Sequence, residues 1–380
     1  MLQKERGEMM ALPITEIKIK KLKMRLKHSF STSFGSVKDK EFFLIEARDG
    51  EGNCGYGESV AFEVPWYTEE TVKTVFHMME DYLIPILQME CLTHPQDVSN
   101  IFKPIKRNHM AKAAIEGAIW DLYAKREGVS LARALGGERK KIEVGIAIGI
   151  QSTINELLHT IDQAFQEGYK RIKIKIKPGY DIKVLREVRW HFPSIPLMVD
   201  ANSAYTLDDI EHLKQLDEFD LMMIEQPLSD DDIMDHAKLQ SVIHTPVCLD
   251  ESIHSLEDVK MAYELGSCRI INIKPGRVGG LTEAKRIHDY CKDKDIHVWC
   301  GGMLETGVGR AQNIALASLP QFTLPGDISS SSRYWEKDII YPEIVARNGM
   351  IEVPDQPGIG YQLDEEKVDH FLEWEKVYQL

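Results

Sequence analysis

Five ionisable residues stand at nearly equal intervals through the middle of the chain: Lys175, Asp200, Glu225, Asp250 and Lys274. The successive gaps are 25, 25, 25 and 24 residues. Each residue ends a short apolar run: RIKIK, LMVD, LMMIE, VCLD and INIK. An apolar run followed by a helix-length stretch reads as one βα unit. Repetition of such a unit builds a parallel barrel. Strand ends of a barrel open onto one face, where barrel enzymes hold their active sites. The spacing therefore predicts three carboxylates and two lysines around one pocket. Three carboxylates in one pocket repel each other unless a cation neutralises them. Hard oxygen donors in that number suit Mg²⁺.

The same rhythm extends in both directions. Strands are predicted near 143–150, 171–177, 196–202, 220–225, 246–250, 268–274, 296–300 and 322–327. Helices fall near 153–167, 181–191, 206–217, 231–241, 255–265, 280–294 and 306–319. The last helix of a full eightfold barrel is missing. Before the barrel, residues 14–60 read as a meander, followed by helical stretches at 68–90, 94–103 and 109–126. Ala113, Ala114, Gly117 and Ala118 give the last of these a small-residue face, which predicts a helix buried between two layers. The expected division is an α+β capping domain over residues 1–138, a barrel over 139–327, and a segment 328–380 that returns to pack on the cap. No low-complexity linker separates these parts, so tight docking is expected.

Composition excludes several classes of function. A net charge of −14 argues against nucleic acid or an anionic membrane surface as the main partner. The lysine-dense stretch Lys18–Lys27 reads as a solvated strand face. No apolar run approaches the roughly 20 residues of a membrane span. The first residues carry no apolar signal-peptide core. Met9 and Met10 leave open that the natural start lies after residue 8. The six cysteines have no paired spacing and read as buried free thiols of a reducing cytoplasm.

Around the five spaced residues, others acquire candidate roles. Lys173, Lys175 and Lys177 alternate with isoleucines. In a barrel the isoleucines face the helices, Lys173 and Lys175 point inward, and Lys177 lies past the strand end. Two inward lysines repel, which is expected to lower at least one pKa towards ~7–8, where a lysine is a competent base. Asn202 shares the parity of Asp200 and is a candidate metal or substrate contact. Glu251 has the opposite parity and is expected to support the site from behind. Arg277 either orients Lys274 or holds its loop. The run GGMLETGVGR places Gly302, Met303 and Glu305 after the seventh strand. It is either a carboxylate-binding turn or an ordinary βα turn, and it lacks a nucleotide-binding pattern. Phe30, Phe34 and Trp66, in FSTSFG and ESVAFEVPWY, either close over an apolar part of a substrate or belong to the cap core. His236, His244 and His254 show no metal-ligand spacing.

Taken together, KIKIK, VDAN, IEQP, LDES and NIKPGRVGG resemble the enolase superfamily in its muconate-lactonising subgroup, in matching order and spacing. The resemblance spans nearly the whole chain, including GYGES, AAIEGAIWDLYAK and GGMLETG. FSTSFG, IKPGRVGG and GGMLETGVGR resemble the branch of o-succinylbenzoate synthases whose relatives also racemise N-acylamino acids. The resemblance implies a modified TIM barrel, (β/α)₇β, under an α+β cap. It implies Mg²⁺ on Asp200, Glu225 and Asp250, Lys175 as the base and Lys274 as the lysine of the opposite face. The implied reaction is syn dehydration of a cyclohexadiene carboxylate in menaquinone biosynthesis, through an enediolate, with racemisation of N-acylamino acids at the same site. A dedicated N-succinylamino acid racemase is the alternative, and Arg277 resembles the racemase-capable branch. The expected partner is a small-molecule carboxylate, and the expected assembly a homo-oligomer. A Schiff-base aldolase would need Lys175 or Lys274 but gives no reason for three strand-end acids. A non-enzymatic scaffold gives no reason for five inward charges.

Overall fold

The structure is a computed structural model and describes residues 11–31 and 35–380. Its centre is a curled sheet of seven parallel strands hydrogen-bonded in chain order. They are Ile146–Ile148, Ile172–Lys175, Leu197–Asp200, Ile224–Glu225, Val247–Leu249, Ile270–Ile273 and His297–Cys300. Helices between them bury aliphatic faces on the outer surface of the sheet. Ile172, Ile174 and Ile176 of the second strand join that outer core.

The expected eighth strand is not a regular strand. Pro325 has no N–H to give to a ladder, so 324–327 crosses the gap irregularly. The Asp327 N–H donates to the Cys300 carbonyl at 2.9 Å on one side. On the other, the Gly145 N–H donates to Gly326 at 2.8 Å. These bonds close the barrel between its seventh and first strands. The expected strand 143–150 also divides. Lys141–Glu143 pairs antiparallel with Met350–Glu352, and only Ile146–Ile148 enters the barrel. The expected helix 206–217 is broken into tight turns around a short α-helix, Ile210–Leu213. Asp209 bonds back to the Thr206 N–H at 2.9 Å and tightens the first turn.

A four-stranded antiparallel sheet covers the barrel's mouth, in the order Leu372–Gln379, Glu16–Ser31, Ser36–Arg48, Cys54–Glu58. The stretch Lys18–Lys27 lies on a central strand of this sheet; Lys23, Arg25 and Lys27 are exposed as expected, while Lys20 is buried and Lys18 and Lys21 are half-buried. Lys20 pairs with Glu46 at 2.7 Å, and Lys21 lies between Glu41 at 2.7 Å and Glu373 at 2.9 Å. The helix His109–Arg126 is buried on almost every side between this sheet and the barrel. Its alanines admit the strand Cys54–Glu58 so closely that a Cβ on Gly57 would stand 2.1 Å from the Ala114 carbonyl oxygen.

Buried glutamates join cap to barrel by accepting the free N–H groups at barrel helix starts. Glu116 accepts from Leu281 and Thr282, at the start of Leu281–Asp293. Glu58 accepts from Thr306 and Gly309, at the start of Gly307–Ala317. Gly280 makes room for the first of these contacts. Its φ is +130°, and a Cβ there would lie 2.0 Å from a Glu116 carboxylate oxygen.

Burial pushes the Glu116 carboxyl up from 4.5 to about 7, against the opposing pull of its hydrogen bonds. Between these values the folded chain keeps a proton that the unfolded chain releases, so stability from this group falls as pH rises. Urea unfolding between about pH 5 and pH 8 should show the wild type losing more stability than Glu116→Gln. The expected difference is on the order of 3 kcal/mol. Equal slopes for the two proteins would refute this.

Candidate active site

At the barrel mouth Lys175, Asp200 and Glu225 lie side by side in register on the second, third and fourth strands. Asp250 and Lys274 stand one residue beyond the fifth and sixth strands. Arg171, Lys173 and Lys175 share one parity, and all three are buried. Beneath them Met198, Met223, Cys248, Ile270 and Trp299 form a separate apolar cluster in the barrel interior. Arg171 and Lys173 both lie over the Trp299 ring, at 4.3 and 4.9 Å from its centroid.

Every one of these cations meets a carboxylate. Lys173 Nζ lies 2.5 Å from Asp327, 3.0 Å from Glu225 and 3.3 Å from Asp200. Arg171 also pairs with Asp327. Lys175 Nζ donates to Asp200 and to Asn202 Oδ1, each at 2.6 Å. Lys274 Nζ donates to Asp250 at 2.7 Å and to the Tyr67 hydroxyl at 2.9 Å. Arg277 pairs with Asp250 and donates to the Ile253 carbonyl at 2.6 Å and to the Asn272 carbonyl. It thus both contacts the partner of Lys274 and ties down its own loop. Asn202 Nδ2 donates to Glu251 at 2.8 Å, and Asn272 Nδ2 to Glu225 at 2.8 Å.

The expected lowering of a lysine pKa by repulsion between neighbours is not what this arrangement produces for Lys173. Burial pulls its pKa down, but Asp327, Glu225 and Asp200 outweigh burial and raise it well above the usual lysine range. Lys274 is also raised: burial opposes, and Asp250 prevails. The acids diverge. Burial pushes Asp250 up, while Lys274 and Arg277 bring it down to about 2. Glu225, between Asp200 and Asp250, is driven well above the carboxylate range by burial and by those neighbours. Burial and Asp250 push Glu251 up to about 8.

These groups form the floor of a cleft between barrel and cap. Lys173, Lys175, Asp200, Asn202, Lys274, Gly302, Met303, Glu305 and Trp66 line it. Glu225, Asp250, Glu251 and Arg277 are buried around its floor without lining it. The aromatic wall is Phe30, Phe62, Trp66, Tyr67 and Tyr334, with Trp66 stacked on Phe62 at 4.9 Å. Phe34 lies outside the described residues. Glu305 accepts from the Met303 N–H and from Asn313 Nδ2, each at 2.9 Å, so its carboxylate shapes its own loop. His236 bonds to backbone at both ring nitrogens.

Several participants escaped the reading of the sequence. Asp327 ends the irregular closing segment, and its place at a matched strand end was the available signal. Arg171 was readable from its parity with Lys173. Gln226, in IEQP, accepts from the Asp250 and Ser252 N–H groups and donates to Ser252 Oγ at 2.7 Å. It thereby locks the fourth loop to LDES. Asn202, Gln226 and Leu304 take left-handed φ values of 44°, 39° and 59° just beyond their strands. Such conformations cluster at functional sites. Lys40 is buried and donates to the Met303 and Leu304 carbonyls at 2.7 and 2.9 Å. Lys40 and Tyr67 come from the cap, where no periodic pattern pointed to them.

The chemistry of the acid set fits a hard divalent cation. Asp200, Glu225 and Asp250 are buried oxygen donors on consecutive strands, and their mutual repulsion shows in Glu225. Buried Glu251 Oε2 and Asn272 Oδ1 have no hydrogen-bond partner. Among the described residues, however, no three acidic, histidine or cysteine side chains already converge in metal-holding geometry. Lysine and arginine nitrogens take the carboxylate oxygens instead.

The arrangement agrees with comparisons to known proteins. Residues 14–136 match the family described as mandelate racemase / muconate lactonizing enzyme, N-terminal domain, and residues 156–367 match enolase C-terminal domain-like. An o-succinylbenzoate synthase from Geobacillus kaustophilus is 58% identical over 369 residues, covering 97% of this chain and 98% of that protein. An N-succinylamino acid racemase from Thermus thermophilus is 45% identical, over 97% of this chain and 99% of its own. The crystal structure of an enolase superfamily member from Listeria innocua superposes with a TM-score of 0.94 at 43% identity. It covers 97% of this chain and 99% of that one. With both domains matched and its barrel and cap shared with these relatives, the chain is an enzyme of the enolase superfamily.

Proposed function

We propose that this enzyme is an Mg²⁺-dependent o-succinylbenzoate synthase that also racemises N-succinylamino acids. The observation that carries the reading is the pair of buried lysines, Lys175 and Lys274, lining one cleft from the second and sixth barrel strands. The 58% and 45% identities to proteins of the two activities support it. On this reading the enzyme is cytoplasmic and serves menaquinone biosynthesis, and the free cysteines among the described residues accord with a reducing compartment.

Asp200, Glu225 and Asp250 would hold the cation. When bound, it supplies positive charge against the substrate carboxylate as negative charge builds there. Lys175, in its neutral form, removes the proton α to that carboxylate. In dehydration it then passes the proton to the hydroxyl leaving from the same face, so that a C–H and a C–O bond break, a C=C bond forms and water departs. Lys274 stays protonated and faces the developing anion. In racemisation Lys274 delivers a proton to the opposite face. Phe62, Trp66, Tyr67 and Met303 exclude water and pack against the apolar part of the substrate.

A dedicated racemase differs from this reading in rate, not in geometry. Side-by-side kcat/KM for the cyclohexadiene substrate and for N-succinylamino acids decides between them. A Schiff-base aldolase would instead survive EDTA and be trapped by borohydride with its substrate.

Three outcomes are expected. Asp200→Asn, Glu225→Gln and Asp250→Asn should each weaken Mg²⁺ binding in calorimetry and lower kcat by about 10²-fold or more. Near-normal metal affinity in all three would place the site elsewhere. Lys175→Arg should lose both reactions, because arginine is a far poorer acid–base group. Lys274→Arg should retain part of the dehydration and lose racemisation. Dehydration persisting in Lys175→Arg would put the base on the wrong strand. Trp66→Ala should change the ranking of substrates more than Mg²⁺ affinity. Equal loss for every substrate with a lowered Tm would make Trp66 a core residue.

A further inference from the structure

The two lysines are held by matching sets of partners. Lys175 has one carboxylate, Asp200, and one uncharged oxygen, Asn202 Oδ1. Lys274 has one carboxylate, Asp250, and one uncharged oxygen, the Tyr67 hydroxyl. The uncharged partners come from different places. Asn202 belongs to the barrel, just past the third strand. Tyr67 belongs to the cap segment before the helix Val72–Met78.

Tyr67 is also fixed from below. Its hydroxyl donates to Asp250 Oδ1 at 3.1 Å, and Arg277 Nη1 stands 3.5 Å from it. Its ring packs edge-on against Phe62, which stacks on Trp66. Lys274 Nζ lies 4.7 Å from the ring centroid. The phenol therefore spans the boundary between the aromatic wall and the lysine.

We infer that Tyr67 is a positioning residue for Lys274, the cap's counterpart to Asn202, and that it acts on one face of the reaction only. The inference rests on the proposed division of labour between Lys175 and Lys274. The assignment follows from the chemistry of the hydroxyl. Its oxygen can accept an N–H from the ammonium group or from the free amine while its own O–H goes to Asp250, so it can stay bonded to Nζ before and after proton transfer. Asp250 is the second holder of Lys274. If Asp250 serves a cation, Tyr67 is the remaining side chain that keeps Nζ aimed at the substrate. A misplacement of about 1 Å at a reacting group can cost about 10²-fold in rate. The hydrogen bonds of Lys175 go to Asp200 and Asn202 and not to Tyr67, so it should not share that dependence.

The test is deuterium exchange at the α-carbon of each enantiomer of one N-succinylamino acid, in D₂O with Mg²⁺. Lys274→Ala identifies the enantiomer that Lys274 serves, as the one whose exchange it abolishes. Tyr67→Phe keeps the ring and removes the hydroxyl. It should shift the ratio of the two exchange rates by about tenfold or more against that enantiomer, the worth of one lost hydrogen bond. A role confined to cap docking or to Asp250 would slow both enantiomers together and leave the ratio unchanged, and that result would overturn the inference. Absence of exchange from either enantiomer in the wild type would instead overturn the two-lysine reading on which it rests.

Discussion

The structure depends on pairing charges that cannot otherwise be buried. The second barrel strand sends Arg171, Lys173 and Lys175 into the interior, where an unpaired cation is costly. Asp327, Glu225 and Asp200 meet them from the closing segment and the neighbouring strands. This holds the irregular closure of the barrel in place, since Asp327 joins two cations across a gap that Pro325 leaves without a full ladder. The same contacts keep Lys173 charged and fixed beside Lys175. Removing one partner would leave a buried charge, so the network constrains its members more than its net stabilisation suggests.

The cap completes what the barrel begins. Glu58 and Glu116 anchor the cap to the starts of two barrel helices, and each sits near a loop that serves the cleft. Glu116 reaches the loop after Arg277. Glu58 reaches the turn after Glu305. Lys40 adds a third tie, to the carbonyls of Met303 and Leu304. Docking energy and site geometry are thus carried by the same contacts. Changes at Gly280 or Gly57, far from the floor of the cleft, would reach it through these ties.

The barrel residues of the site were legible because barrel geometry converts sequence spacing into angular position. Equal spacing placed Lys175, Asp200, Glu225, Asp250 and Lys274 at one mouth, and strand parity placed Lys173 inward and the isoleucines outward. Cap residues have no such rule. Tyr67 and Lys40 reach the cleft through tertiary contacts more than 200 residues long in sequence, which no local pattern encodes. Pairing was also invisible. Repulsion between Lys173 and Lys175 was expected to lower a lysine pKa, but Asp327, Glu225 and Asp200 pair with Lys173 and raise it instead. In the stretch Lys18–Lys27 the pairing of Lys20 and Lys21 was hidden in the same way, because Glu41, Glu46 and Glu373 lie on flanking strands.

On the proposed function, charge balance accounts for why the site is built from so many ionisable groups. Arg171, Lys173, Lys175, Lys274 and Arg277 share one buried region with Asp200, Glu225, Asp250, Glu251 and Asp327, where burial and neighbouring acids raise Glu225 and Glu251 above the ordinary carboxylate range. Ion pairs to Asp200, Glu225, Asp250 and Asp327 hold the buried cations in place. The positive charge that a divalent ion would add has to be offset in the same buried volume. A carboxylate substrate would offset part of it. Lys274 is tied to Asp250 of the barrel and to Tyr67 of the cap. The asymmetry between the two lysines thus lies in what holds them: one by the barrel alone, the other by barrel and cap together.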